Sequence, residues 1–129
     1  MIWALLYLHF FAGSAGAQDI GRFYLAEAKP AIKAEIQDPG HRKAALDGAA
    51  NVRTAIEDLL KANRQSAEDF ERVYRNYRSS AEEFDAVIGA GENRQRAAVT
   101  AIVEARARLV DSVSAEEWHA VIARAAATH

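Results

Sequence analysis

"AANVRTAIEDLLKANRQSAEDFERVYRNYRSSAEEFDAVI", residues 49–88, carries the pattern on which the fold turns. Ala49, Val52, Ile56, Leu59, Asn63, Ser66, Phe70, Val73, Tyr77, Ser80, Phe84 and Val87 follow one another at steps of three and four in strict alternation. Such steps hold one stripe on one side of a helix and give the seam along which helices cross at shallow angles. Leu60, Ala67, Tyr74, Ala81 and Ile88 widen that stripe. A strand would need alternation at every second residue, which is missing. Neither Gly nor Pro interrupts the segment. On the outer side, Glu68 with Arg72 and Glu71 with Arg75 stand four residues apart, each pair worth ~0.2–0.5 kcal/mol.

The segment therefore predicts one long helix from about Arg42 to Ile88, ~70 Å at the helical rise per residue. Ser66-Ala-Glu-Asp69 and Ser80-Ala-Glu-Glu83 resemble helix starts, a hydroxyl residue followed three later by an acidic one. Both serines fall on the seam, so they are read as bends in a continuing rod. The fold class that follows is all-α: an elongated antiparallel helical hairpin or a three/four-helix bundle with one long central helix. A rod of that length exceeds a compact domain, and a homodimer of coiled-coil type is the expected consequence.

Four of the nine Phe and Tyr residues, Phe70, Tyr74, Tyr77 and Phe84, lie within this stretch. They keep the phase of the aliphatic seam before them, which identifies them first as packing. Exposure of the same stripe in an isolated subunit would mark a partner or client surface.

Outward from the rod, Asp38-Pro39-Gly40 is the clearest turn, and the region 19–37 before it is helical in pattern. Pro30 argues against an unbroken helix there, because its ring clashes with the preceding turn. Gly89-Ala90-Gly91 is read as the end of the rod. A further helix of about 92–113 carries Ala98, Ile102, Ala105, Leu109 and Val113 at helical spacing. Ser114-Ala-Glu-Glu117 is the best capping box of the chain and opens a short last helix, with Trp118 as the anchor that docks it.

The first seventeen residues stand apart. "MIWALLYLHFFAGSAGA" holds no Asp, Glu, Lys or Arg. Its apolar part is shorter than the ~20 residues a bilayer span needs. Ala15-Gly16-Ala17 supplies the small-x-small pattern of a signal-peptide cleavage site. Residues 1–17 are thus read as a signal peptide and 18–129 as a single helical domain, periplasmic or secreted, without stable membrane insertion after cleavage. The rival is an apolar N-terminal helix retained against the body.

Of the 129 residues, 16 are basic and 18 acidic, a formal charge of −2. Signs alternate along the body, which offers no general attraction to phosphates. Arg64, Arg72, Arg75 and Arg78 form one locally basic face punctuated by Glu68, Glu71 and Glu82, and no nucleic-acid partner is expected. Cys is absent, removing disulfides, thiolate metal sites and cysteine nucleophiles. The serines have no nucleophile elbow, Gly89-Ala-Gly91 lacks the phosphate-cradling fingerprint, and adjacent carboxylates such as Glu82-Glu83 diverge on a helix. No enzymatic activity and no cofactor are expected. One Glu-x-x-His element, Glu116 with His119, could place two metal ligands on one helical face. Carboxylate-bridged dimetal bundles need two such elements plus two further Glu, and no second copy occurs. Asp38 with His41 is a weaker candidate still.

With these elements in place, "RARLVDSVSAEEWHAVI", residues 106–122, resembles small periplasmic helical proteins of the Spy/CpxP and heavy-metal-resistance accessory class. In those proteins a helix runs through a Leu-Thr-x-x-Gln-like turn into another helix. Here Val113-Ser114-Ala115-Glu116-Glu117 stands at that place, with valine, serine and glutamate replacing the characteristic residues. The resemblance covers under a fifth of the chain. It implies stress tolerance through chaperoning, sensing or metal handling, often as a dimer, and transfers no ligand to a specific residue. The leading expectation is an exported, non-catalytic helical binding protein, chaperone-like or stress-related. The alternatives are a structural self-associating subunit and a metal-responsive sensor using Glu116 and His119.

Overall fold

The computed structural model describes residues 20–127, so the expected leader at 1–17 lies outside the described residues. Every regular element among them is helical. The chain is already helical at 20–22, passes through a π-helical turn, Phe23–Glu27, and continues as α1, Ala28–Glu35. Pro30 gives the turn its reason. It has no N–H for the carbonyl four residues back, and its ring needs the space that carbonyl would fill. A widened turn, in which the Ala28 N–H donates to the Phe23 carbonyl, supplies that space. The disruption expected at Pro30 is therefore a π-helical turn and not a break.

Helix α2, Pro39–Arg75, is 37 residues long. Asp38 caps it, its carboxylate accepting the His41 N–H at 2.8 Å, and Pro39 occupies the first helical position, where a missing N–H costs nothing. Asp38-Pro39-Gly40 is thus turn and helix start at once.

The predicted rod to Ile88 ends thirteen residues early, at Arg75. Four small interactions make the stop. The Asn76 N–H donates to the Val73 carbonyl at 3.2 Å, and the Asn76 side-chain oxygen accepts the Arg78 N–H at 3.0 Å. The Ser79 hydroxyl donates to the Val73 carbonyl at 2.8 Å. Ser80, in extended conformation, accepts the Glu83 N–H at 3.2 Å and caps α3, Ala81–Asp111. The helix-start signal at Ser80 was therefore literal. The seam keeps its phase because the chain folds back along it. A straight helix would hold Phe70 and Phe84 ~21 Å apart, whereas their ring centroids lie at 5.9 Å.

Gly89 and Gly91, expected to end a helix, lie inside α3. A side chain at Gly91 would meet Ser66 Oγ at 3.1 Å, so the glycine there serves close approach between α2 and α3. Helix α3 closes at Ser112, whose hydroxyl donates to the Leu109 carbonyl at 2.6 Å. The capping box then forms reciprocally: the Glu117 N–H donates to Ser114 Oγ at 3.1 Å, and the Ser114 N–H donates to Glu117 Oε1 at 2.8 Å. Helix α4 runs Ala115–Ala127.

Gly48 faces Leu109 and Gly91 faces Ser66, so each step up α2 is a step down α3. The two form a long antiparallel hairpin, and α1 and α4 pack on each other at its open end. All α, four helices with a long central one, is the architecture. The core lies entirely at that open end: Ile32, Ile36, Val52, Leu109 and Val121 are fully buried there, with Ala45, Ala49, Ile56, Leu59, Val99 and Ile102 around them. From 60 to 98 no residue is buried. Two helices can cover only the stripe between them, so this stretch is a bare arm extending from a four-helix base.

Candidate functional site

The arm begins where the seam loses its cover. Up to Leu59 the seam residues Ala49, Val52, Ile56 and Leu59 are buried. Beyond it Leu60 is 47% exposed, Phe70 44%, Tyr74 71% and Tyr77 104%, and Ile88 on the returning helix is 46% exposed. Phe84 and Val87 are half-buried in the hairpin interface. Of the four aromatics singled out by the sequence, Phe70, Tyr74 and Phe84 are brought together. Phe70 stacks on Tyr74 at 6.3 Å and 16°, and meets Phe84 edge-on at 5.9 Å and 64°, geometries favoured by the ring quadrupoles. Tyr77 stands alone in the turn at the tip, outside both helices. It does not belong to the seam of a continuous helix as predicted.

A shallow groove of about 420 Å³ runs along the arm, floored by Ser66, Ala67 and Gly91 and walled by Phe70, Val87 and Ile88. Its shape is held by a polar clip. Arg94 on α3 donates to Ser66 Oγ at 3.1 Å and to Asp69 Oδ2 at 2.9 Å on α2. Arg72 shares the Asp69 carboxylate. The hydrogen bond from Arg72 holds the Asp69 carboxyl below the usual carboxylate range; desolvation opposes it, and the hydrogen bond from Arg94 adds to the lowering. Sequence reading missed this clip. Ser66-x-x-Asp69 has the form of a capping signal, and only the turn at 76–80 reveals that both side chains face a cation 25 and 28 residues away.

The locally basic run on α2 is engaged by its own carboxylates: Arg72 pairs with Asp69, and Arg75 pairs with Glu71 at 2.6 Å. The arm thus offers an apolar edge with mixed charge along its rim.

At the base, Trp118 is 8% exposed and meets Phe23 edge-on at 5.9 Å, fixing α4 against the turn before α1. Glu116 and His119 are both exposed. Among the described residues no group of three or more His, Asp or Glu is arranged to hold a metal ion. The polar pair that does form there is His41 with Glu117, Nδ1 to Oε1 at 2.7 Å. The Glu117 carboxyl is held below its ordinary range, first by the Ser114 N–H and further by His41. It thereby ties the start of α2 to the start of α4.

Among the described residues no helix is long and apolar enough to cross a membrane. Comparison of the chain with protein-family models, with curated proteins and with solved structures gives no match.

Proposed function

We propose that the chain is an exported helical binding protein of chaperone-like or stress-related role, which holds a partner polypeptide along the open edge of its arm without chemical turnover. The observation that carries this reading is the exposed stripe of Leu60, Phe70, Tyr74 and Ile88, continued at the tip by Tyr77. Phe70, Tyr74 and Ile88 lie close together in it, and exposed apolar surface rimmed by charge is costly in water and typical of docking sites. From Leu60 to Arg75 the arm measures ~24 Å, enough for about four turns of an amphipathic helix laid in the groove, a recurring mode of peptide recognition. The mixed charges of Glu71, Arg75 and Glu92 along the rim keep a loaded complex solvated. Export is supported by the apolar leader of residues 1–17 and its Ala15-Gly16-Ala17 pattern.

A second copy of the chain is the other occupant the stripe suits, because Leu60, Tyr74 and Ile88 widen the seam on its flank, where another helix could pack beside the hairpin. Light scattering over a dilution series separates the two. Aggregation of chemically denatured lysozyme is then followed with and without the protein. Suppression that is lost in a Tyr74→Ser, Tyr77→Ser double variant supports client holding. Undiminished aggregation at every molar ratio, from a protein that stays monomeric on dilution, refutes both occupants.

A further inference from the structure

At the opposite end of the molecule from the arm lies a larger groove of about 720 Å³, between the π-helical turn, α3 and α4. Its floor is the buried surface of Trp118, Ile102 and Tyr24, and its walls are Val103 and Ile122, which are 49% and 42% exposed. Three charged side chains line it. Arg22 pairs with Glu27 at 3.4 Å, and Arg106 adds a second cation, so among the described residues the lining carries one net positive charge. Among the described residues no carboxylate lies within ion-pair distance of Arg106. Its neighbour is the Tyr24 phenol, whose pKa is raised by burial and pulled back in part by the Arg106 guanidinium. A pocket of this size, apolar on most sides with Arg22, Glu27 and Arg106 among its lining and the Tyr24 phenol in its floor, matches small-ligand sites, which are mostly apolar with a few orienting polar groups.

We propose that this groove binds a small amphipathic carboxylate, its aliphatic or aromatic body lying over Trp118, Ile102 and Val103 and its carboxylate paired with Arg106. The charge decides the ligand class. An apolar amine would set its cation against Arg106. A neutral chain would leave the exposed guanidinium to water and the Tyr24 phenol and gain nothing from its charge. A guanidinium offers a carboxylate two parallel N–H donors, which fixes orientation as well as strength. The site is independent of the arm: none of its residues lies between 60 and 98.

The test is calorimetric titration of the full chain with decanoate, 1-decanol and decyltrimethylammonium, all below micelle formation. Saturable one-to-one binding of decanoate is expected, with the alcohol and the ammonium at least about tenfold weaker, since a charge-assisted hydrogen bond is lost in each. Arg106→Gln should weaken decanoate about tenfold and leave 1-decanol unaltered, while Arg106→Lys recovers part of the loss. Val103→Glu, at a half-exposed wall position that folding does not need, should abolish decanoate binding. Tyr74→Ser, on the arm, should change nothing. Circular dichroism melts establish that each variant is folded. No saturable decanoate binding, equal affinity for all three probes, or indifference to Arg106→Gln in a folded variant would each overturn the proposal.

Discussion

Replacing glycine by alanine at two positions of the hairpin should shift stability in opposite directions, and the reason lies in what each new methyl group would meet. Gly48 and Gly89 both sit inside long helices with ordinary right-handed backbone. In a helix interior alanine is better than glycine by ~1 kcal/mol, because glycine loses more chain entropy on folding. At Gly89 a Cβ has nothing within 4 Å, so that gain stands alone. At Gly48 a Cβ would lie 2.9 Å from Leu109 Cδ1, 3.1 Å from its Cβ and 3.2 Å from its Cα. The methyl end of Leu109 could turn aside in an open site, but Leu109 is 0% exposed. Its Cα belongs to the α3 backbone and can retreat only if the two helices part at this contact.

Overpacking of this kind costs ~1–3 kcal/mol, which exceeds the propensity gain. Gly48→Ala should therefore destabilise by ~1 kcal/mol net, while Gly89→Ala stabilises by ~0.5–1 kcal/mol. Urea denaturation followed by far-ultraviolet circular dichroism reads both, with the slope checked for constancy so that midpoints report stability. A Gly48→Ala protein as stable as Gly89→Ala would show that the hairpin is not in close contact at Gly48 and Leu109, and the base described above would be wrong.

Ser114→Ala removes the N-cap of α4 and should cost ~1 kcal/mol, with Ser114→Gly costing less. The acid limb of stability should report Asp38, Asp69 and Glu117, whose folded-state pKa values all lie below their ordinary values. A depressed carboxylate contributes fully above its unfolded pKa and loses that contribution as pH falls through the folded one. Melting temperature should therefore hold steady on descending to the ordinary carboxylate range and fall below it, and Glu117→Gln should flatten part of that fall; a steeper acid loss in the variant would contradict the assignment. Tyr77→Ala, at a fully exposed tip, should leave stability within ~0.5 kcal/mol of the parent while weakening the client holding proposed for the arm. Arg94→Ala should speed amide hydrogen exchange between 60 and 98 more than in the base, because it removes the one clip joining Ser66 and Asp69 to α3; uniform protection across both regions would count against a separate arm.

The helical class and the phase of the seam were legible because both rest on spacing alone. So was the reciprocal box at Ser114, where local chemistry and apolar pattern agree. The turn at 76–80 was harder to see, since two readings of Ser80 competed. A serine on a seam and a serine at a cap look alike in sequence, and what decides is backbone groups that no side-chain pattern advertises: the Glu83 N–H for Ser80, the Val73 carbonyl for Ser79 and the Arg78 N–H for Asn76. Gly91 misled for a related reason. Glycine weakens a helix in isolation, but the contact with Ser66 exists only once the hairpin has closed. The groove around Arg106 was invisible for want of the π-helical turn that brings Phe23 and Tyr24 beside α3.

That the seam is buried to Leu59 and no more than half-buried beyond it is the feature on which the proposed binding role rests, and folding physics alone does not ask for it. A chain seeking only stability could close its hairpin at the end of the four-helix base, where α1 and α4 stop giving cover. This one carries both helices on for ~24 Å, keeps large apolar groups on them, and adds Arg94 to hold them in register. Most helical stability in proteins comes from tertiary packing and not from propensity, so the arm draws its order from the base and from the clip. An element so placed is kept rigid enough to present one face and too thinly packed to hide it. Binding along that face would return to the arm the burial its sequence pattern specifies and its own fold withholds.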